Sequence, residues 1–175
     1  MQQSTMNLGI LTVQGLVNSF GTTVMAAFAA AVKIDAFAYL PVQHFGNAFS
    51  IFVAQNYGAG KTERIRKGIR TAVLTSVSFG LLISLLVFIF AKQLMGMFID
   101  SREAGVIAEG IRYLRIEGAF YFMIGLLFLF YGLYRALGRP GMSVVLTIVS
   151  LGIRVVLAYA LSAVPAVGVV GIWWS

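Results

Sequence analysis

The sequence predicts an all-α membrane protein, a polytopic helical bundle of five full transmembrane helices followed by a truncated sixth. Hydrophobic residues make up 59% of its 175 residues, charged residues make up 11%, and the mean hydropathy is +0.91. Soluble domains carry about a quarter charged residues, so a water-soluble fold of this size could not bury so much apolar side chain. The apolar runs are too long, and alternate too little, for the strands of a membrane β-barrel.

Uncharged runs define the predicted helices, because a transmembrane helix needs about 20 apolar residues. No charge occurs between Met1 and Val32, and this run lacks the basic start of a signal peptide. Lys33 and Asp35 separate it from the second run. The last run reaches only about 16 Å as a helix, roughly half of the hydrocarbon core, so we expect it to be part of a sixth helix. In a single membrane domain over residues 1–175, the predicted helices cover residues 4–32, 36–58, 69–98, 105–137, 142–162 and 166–175.

Basic residues are distributed unevenly between the two sides of this predicted bundle. Seven lie in the second and fourth loops, on the side of the N-terminus: Lys61, Arg64, Arg66, Lys67, Arg70, Arg135 and Arg139. The positive-inside rule then predicts a multi-pass protein of the cell (inner or plasma) membrane, with the N-terminus and loop 61–70 in the cytoplasm. The net charge of +7 fits contact with anionic lipid headgroups better than with nucleic acid.

Residues 57–62, "YGAGKT", resemble the end of a phosphate-binding loop. The complete loop needs a glycine five residues before the Gly-Lys pair, where Gln55 stands, and it follows a strand. Here the segment follows a predicted transmembrane helix, which Gly58 and Gly60 are suited to end. The sequence therefore predicts no nucleotide site. With no Cys and only one His, it predicts no metal site either.

Two predicted helices carry polar stripes. Asn7, Gln14 and Asn18 share one face of the first helix, and Gln43 and Asn47 share a face of the second. Amides are costly in hydrocarbon unless they are hydrogen-bonded, so these side chains either join helices or line a wet cavity. Small residues recur on the third and fourth helices, where they predict close helix packing: Ser76, Gly80 and Ser84, and Gly118, Gly125 and Gly132.

Glu117 and Arg154 are the charges predicted to lie inside the membrane. Glu117 begins an apolar run between Tyr113 and Tyr121, and Arg154 interrupts the fifth helix. Ionisable residues inside membranes normally pair or line a functional pathway, so we expect these two to form a charge pair that contributes to ion coupling. The alternative is that each reaches the membrane interface separately. The remaining acids are expected in or near loops: Asp35, Glu63, Asp100, Glu103 and Glu109.

Three segments in order resemble the C-terminal half of the multidrug and toxic compound extrusion (MATE) family: "GTTVMAAFAAAVKID", "QNYGAG" before a basic loop, and "YRALGRPGMS". The resemblance covers essentially the whole chain. It implies one six-helix lobe of a twelve-helix secondary antiporter that exports drugs and other cationic or amphipathic organic compounds in exchange for Na⁺ or H⁺. The implied partner is the N-terminal six-helix lobe, and the isolated chain is expected to be inactive. The residues expected to line the cavity are Gln14, Asn18, Gln43, Asn47 and Tyr121.

The sequence also departs from this family pattern. Some members place a cation-binding carboxylate on the first helix of the C-terminal lobe, where this chain has amides and hydroxyls. Ion coupling is then expected to depend on the other lobe or on Glu117. The alternative functions are a flippase for lipid-linked precursors of the same superfamily and a stand-alone membrane scaffold. The sequence shows no nucleophile–base pair, metal cluster or cofactor loop, so it does not predict an enzyme. No cofactor beyond the coupling ion is expected.

Overall fold

The computed structural model describes residues 11–164 and 168–174, and these ranges contain helices and turns but no strand. The all-helical class is therefore confirmed for the described residues. Residues 11–18 form the described part of α1. The later helices are α2 (Thr22–Gly58), α3 (Thr62–Gly96), α4 (Ala104–Gly118), α5 (Tyr121–Ala136), α6 (Pro140–Ser162) and α7 (Val169–Trp173).

Three of the described helices, α2, α3 and α6, are long and apolar enough to cross a membrane. The pair α4 and α5 meets the same criterion as one span bent by 50°. The predicted first and sixth helices, residues 4–32 and 166–175, lie partly outside the described residues. The described part of the chain therefore shows three or four candidate spans, and it does not confirm the predicted count of five with a truncated sixth.

The predicted boundary between the first two helices, at Lys33–Asp35, is wrong. The chain turns instead at residues 19–21, where Gly21 has a φ of +96° that only glycine adopts readily, and α2 then runs unbroken to Gly58. The two charges stay within the helix because each has a partner. Lys33 Nζ lies 6.0 Å from the centre of the Phe98 ring, and the Asp35 carboxylate accepts hydrogen bonds from two tyrosines.

Two further boundaries differ from the prediction. The basic stretch 61–70 is not a separate surface segment, because α3 begins at Thr62 and includes it. The predicted helix 105–137 is two helices, separated at Ala119 and Phe120. There the N–H groups of Ala119 and Phe120 donate to the carbonyls three residues earlier, which tightens the chain before it changes direction. The fifth predicted helix, 142–162, corresponds to α6, which begins two residues earlier at Pro140.

Close packing of α2, α3 and α5 uses the predicted small residues. A Cβ on Gly80 would lie 2.6 Å from Phe122 Cα, and one on Gly125 would overlap Ser76 Oγ. Two turns further along the same face of α5, a Cβ on Gly132 would lie against the Gly46 carbonyl. Side chains at these positions would push the helices apart, so the glycines set the distance between three backbones. This packing positions the residues described next.

Candidate functional site

Five polar or charged side chains from four helices meet inside the bundle. Asp35 comes from α2, Tyr113 and Glu117 from α4, Tyr121 from α5 and Arg154 from α6. We call this group the charged cluster. Tyr113 and Tyr121 are buried, with 3% and 4% of their surface exposed, whereas the three charged residues are partly buried.

Asp35 lies at the centre of the charged cluster, contrary to the expectation that it lies in or near a loop. Its Oδ2 accepts a hydrogen bond of 2.6 Å from the Tyr113 hydroxyl, and its Oδ1 accepts one from the Tyr121 hydroxyl. Hydrogen bonds to a carboxylate are stronger than neutral ones, and here they satisfy both oxygens. Asp35 therefore joins α2 to α4 and α5.

Glu117 and Arg154 form the ion pair that the sequence predicts. Arg154 Nη2 lies 3.6 Å from Glu117 Oε1, and the side chains are 34% and 19% exposed. The buried Nε of Arg154 has no hydrogen-bond partner among the described residues. The pair connects α6 to α4 beside Asp35. The structure thus brings the pair together, although its part in ion coupling stays a prediction.

Aromatic side chains close one side of the charged cluster. Trp173 of α7 meets Tyr113 edge-on at 4.9 Å between ring centres and stacks on Phe28 at 5.8 Å. Its Nε1 donates a hydrogen bond of 2.8 Å to Glu109 Oε1. Such rings exclude water and lower the local dielectric response, which strengthens the electrostatic interactions that they enclose.

The charges in the charged cluster do not balance. Two carboxylates face one guanidinium, so one negative charge is compensated only by hydroxyl donors when both acids are ionised. A proton or a monovalent cation would neutralise that charge. The described residues contain no group of three or more His, Cys, Asp or Glu side chains that would suit a multivalent metal ion.

The predicted cavity-lining residues do not share one site within the described chain. Gln14, Asn18 and Asn47 are exposed, Gln43 is half-buried, and Tyr121 belongs to the charged cluster. Asn47 Oδ1 accepts a hydrogen bond of 2.7 Å from Arg135 Nη2. Two small depressions in the described part of the bundle have apolar linings, and of the five predicted residues only Tyr121 contributes to either.

Asp35 is the functional candidate that sequence reasoning missed. Its position between two long uncharged runs predicts a loop between helices. The same pattern also fits an acid held inside a continuous helix, and two tyrosines one turn from Glu117 were available as donors. The partners come from residues that are 78 and 86 positions away, so local pattern could not select between the two interpretations.

Comparisons with known proteins agree with this architecture. The chain is 27% identical to the "Probable multidrug resistance protein YoeA" of Bacillus subtilis (strain 168) over 168 residues, which are 95% of the chain and 36% of that protein. It is 30% identical to the "Probable multidrug resistance protein YpnP" of the same organism over 150 residues, 86% of the chain and 33% of the relative. The "Probable multidrug resistance protein NorM" of Rhizobium meliloti (strain 1021) is 24% identical over 164 residues, 91% of the chain and 35% of that protein.

A solved structure shares the fold. The MATE chain in "Crystal structure of MATE in complex with MaD5" superposes with a TM-score of 0.86 at 20% identity, over 98% of this chain and 37% of that one. The chain therefore spans about a third of the length of the curated relatives it matches. The MatE family model matches residues 1–160. With the helical fold and nearly the whole sequence in agreement, the chain belongs to the MatE family.

Proposed function

We propose that this chain is one lobe of a secondary drug efflux antiporter and that the charged cluster couples transport to an inward gradient of H⁺ or Na⁺. Membership of the MatE family and the multidrug resistance names of three relatives support the transport class. The relatives are about three times as long as the matched region, which supports a second lobe as the partner. The transported compounds are small cationic or amphipathic organic molecules, and the chain performs no covalent chemistry.

The observation that carries the coupling proposal is the Asp35 carboxylate between Tyr113 and Tyr121, beside the Glu117–Arg154 pair. Ionisable groups inside a membrane are costly and are normally kept where they serve ion or substrate movement. Binding a proton or Na⁺ at Asp35 would weaken its bonds to α4 and α5. This change would bias the packing of α2 against those helices, which is what alternating access requires.

Substrate binding is proposed for the surface that this chain does not cover itself. Gln14, Asn18 and Asn47 are exposed and polar, although they lie on helices of an apolar bundle. A second lobe packed against that surface would enclose the amides in a cavity between lobes, where they would hydrogen-bond to substrate or water. Alone, the chain would leave this surface incomplete, and we propose that it does not transport.

Orientation follows the charge distribution. Seven basic residues lie at one end of the bundle. By the positive-inside rule, this end is proposed to lie on the cytoplasmic side of a cell membrane. Substrate would then leave toward the opposite end, in the direction opposite to the inward movement of H⁺ or Na⁺. At that end α7 and Trp173 pack beside the charged cluster.

The test is co-expression of this chain, extended to complete its last helix, with the matching N-terminal six-helix lobe. Ethidium efflux from cells is followed under an imposed H⁺ or Na⁺ gradient. We expect efflux only when both halves are present, and its dependence on one gradient would identify the ion. Asp35→Asn and Glu117→Gln are expected to reduce efflux at least tenfold, because each removes a charge from the coupling cluster.

The matched control is Glu103→Gln, which removes the same charge from an exposed position before α4. It is expected to leave efflux unchanged. If both halves are present in the membrane and no compound or gradient produces efflux, the flippase and scaffold alternatives would replace the proposal. If Asp35→Asn and Glu103→Gln behave alike, the charged cluster is not the coupling site.

A further inference from the structure

We infer that one end of the bundle is a binding surface for the headgroups of anionic phospholipids. The surface, which we call the basic end, comprises Lys61, Arg64, Arg66, Lys67, Arg70, Arg135 and Arg139. The inference rests on the proposed membrane location but not on transport activity. It adds a lipid requirement to the proposed function.

Hydrophobic contacts hold the first turns of α3 against the bundle. Ile65 is buried with Phe49 and Val53 of α2 and with Leu129 of α5, and Ile69 packs against the same cluster. Gly68 lies so close to the Phe52 ring that an added Cβ would be 2.8 Å from Cζ. One face of this segment is therefore fixed inward, and its five basic side chains are all exposed on the remaining faces.

The end of α5 and the start of α6 bring two more cations to the same end of the bundle. Leu133, Ala136 and Leu137 pack against the cluster that contains Ile65, so Arg135 lies at the same end of the bundle as the start of α3. Arg139 follows at the start of α6, and both arginines are exposed. The guanidinium of Arg135 is oriented by its bond to Asn47 Oδ1.

The length of α3 places this charge at the depth of lipid headgroups. The uncharged part of the helix, residues 71–91, measures about 31 Å at 1.5 Å per residue, close to the thickness of a hydrocarbon core. Arg70 then stands at one boundary, and the turns back to Thr62 rise about another 13 Å. Headgroup regions add roughly 5 to 8 Å on each side of a bilayer, so Arg66, Lys67 and Arg70 lie within reach of phosphates.

The net positive charge of the chain is concentrated at this end, and the rest of the chain is close to neutral. The single acid beside the seven cations is Glu63, which lies 3.8 Å from Lys67, with both side chains at least 70% exposed. Such an exposed pair is weak and leaves the surrounding field positive. The other six basic residues of the chain accompany the other five acids.

A lipid fits this surface better than a soluble polyanion. Clusters of four to eight basic residues next to a transmembrane helix attract anionic lipid, and each cation near the surface raises the affinity about fivefold. Three of the cations lie at headgroup depth, where a folded acidic protein or a nucleic acid could not approach them closely.

The experiment uses the purified chain in nonionic detergent. Phosphatidylglycerol or phosphatidylcholine is added, and bound lipid is counted by native mass spectrometry while the unfolding temperature is followed by circular dichroism. We expect retention of phosphatidylglycerol over phosphatidylcholine by at least tenfold, a higher unfolding temperature with phosphatidylglycerol, and loss of both effects at high salt because the contacts are ionic.

A pair of double variants tests the position of the surface. Arg66→Gln with Arg70→Gln removes two charges from the basic end, and Lys92→Gln with Arg102→Gln removes two from the other end. Only the first is expected to abolish most of the preference for phosphatidylglycerol, because two cations at about fivefold each account for about 25-fold in affinity. Far-ultraviolet circular dichroism confirms that each variant is folded before lipid is added.

Either of two results with lipid would overturn the inference. One is equal retention of the two lipids, and the other is equal effects of the two double variants. Soluble polyglutamate is the comparison for a protein partner: if it binds more tightly than phosphatidylglycerol in the same detergent, the basic end recognises an acidic protein instead. None of these measurements depends on efflux, so failure here is distinct from failure of the transport proposal.

Discussion

Arg154 Nη2 lies 3.6 Å from Glu117 Oε1, and this ion pair ties α6 to α4, which carries one of the two tyrosines that donate to Asp35. Most of α6 is exposed, because only 11% of its apolar membrane segment is buried inside the bundle. The pair is therefore one of the few specific contacts that fix the outer part of α6 relative to α4.

Removing either member of the pair is expected to destabilise the chain. Arg154→Leu leaves Glu117 without its cation, and Glu117→Gln leaves Arg154 partly buried without a counter-charge. Since both side chains retain some exposure, we expect a coupling free energy of about 0.5 to 3 kcal/mol in a double-mutant cycle, measured by unfolding in detergent micelles. Arg102→Leu, in an exposed turn, is the control and should leave stability unchanged.

The tyrosine donors should each be necessary for the position of Asp35. Tyr113→Phe and Tyr121→Phe remove one hydroxyl each and leave one carboxylate oxygen unsatisfied, at an expected cost of about 1 to 3 kcal/mol in unfolding free energy. In an Asp35→Ala background, either tyrosine-to-phenylalanine change is expected to cost almost no unfolding free energy, because the acceptor is gone. Tyr159→Phe on the exposed side of α6 is the matched control, and an equal cost there would contradict the prediction.

Close packing predicts opposite results for two glycine-to-alanine changes. Gly80→Ala places a Cβ 2.6 Å from the Phe122 Cα and 2.9 Å from its nitrogen, so a backbone must move, at about 1 to 3 kcal/mol. Gly152→Ala meets nothing within 4 Å and should leave stability unchanged or raise it by up to about 1 kcal/mol through helix propensity. Thermal unfolding of both variants in the same detergent decides.

Docking of α7 is expected to depend on the indole nitrogen of Trp173. Trp173→Phe keeps an aromatic ring beside Phe28 and Tyr113 but loses the hydrogen bond to Glu109 Oε1, at about 1 to 3 kcal/mol. Trp174→Phe, at a position that is 57% exposed, is the control. Protease accessibility of the last residues should rise in the first variant only, and equal digestion would show that the bond does not hold α7.

Several features were predictable because they depend on local pattern. Small residues four or seven apart indicated the close helix contacts at Gly80, Gly125 and Gly132, and the structure confirms them. The C-terminal end of α2 and the start of α6 lie within a few residues of the predicted positions, since Gly58 and Pro140 are strong local signals. The Glu117–Arg154 contact was predicted because unpaired charge inside an apolar run is costly.

Other features could not be read from local pattern. The break at Ala119–Phe120 has no proline, and the continuity of α2 through Lys33 and Asp35 depends on partners in α4, α5 and the turn after α3. The polar stripe of the second predicted helix fitted either a helix contact or a cavity lining, and only the structure shows that Arg135 donates to Asn47 from another helix. In each case the deciding interaction involves residues far apart in sequence.

The sequence by itself determined the all-helical membrane class, the resemblance to one family and the concentration of basic residues, because composition and short-range periodicity carry that information. Only the tertiary structure decided that Asp35 is an interior carboxylate shared by two tyrosines and placed beside an ion pair. The physical reason is that a charge inside a helix is tolerated or excluded according to what donates to it, and those donors reach Asp35 only when α2, α4 and α5 pack together.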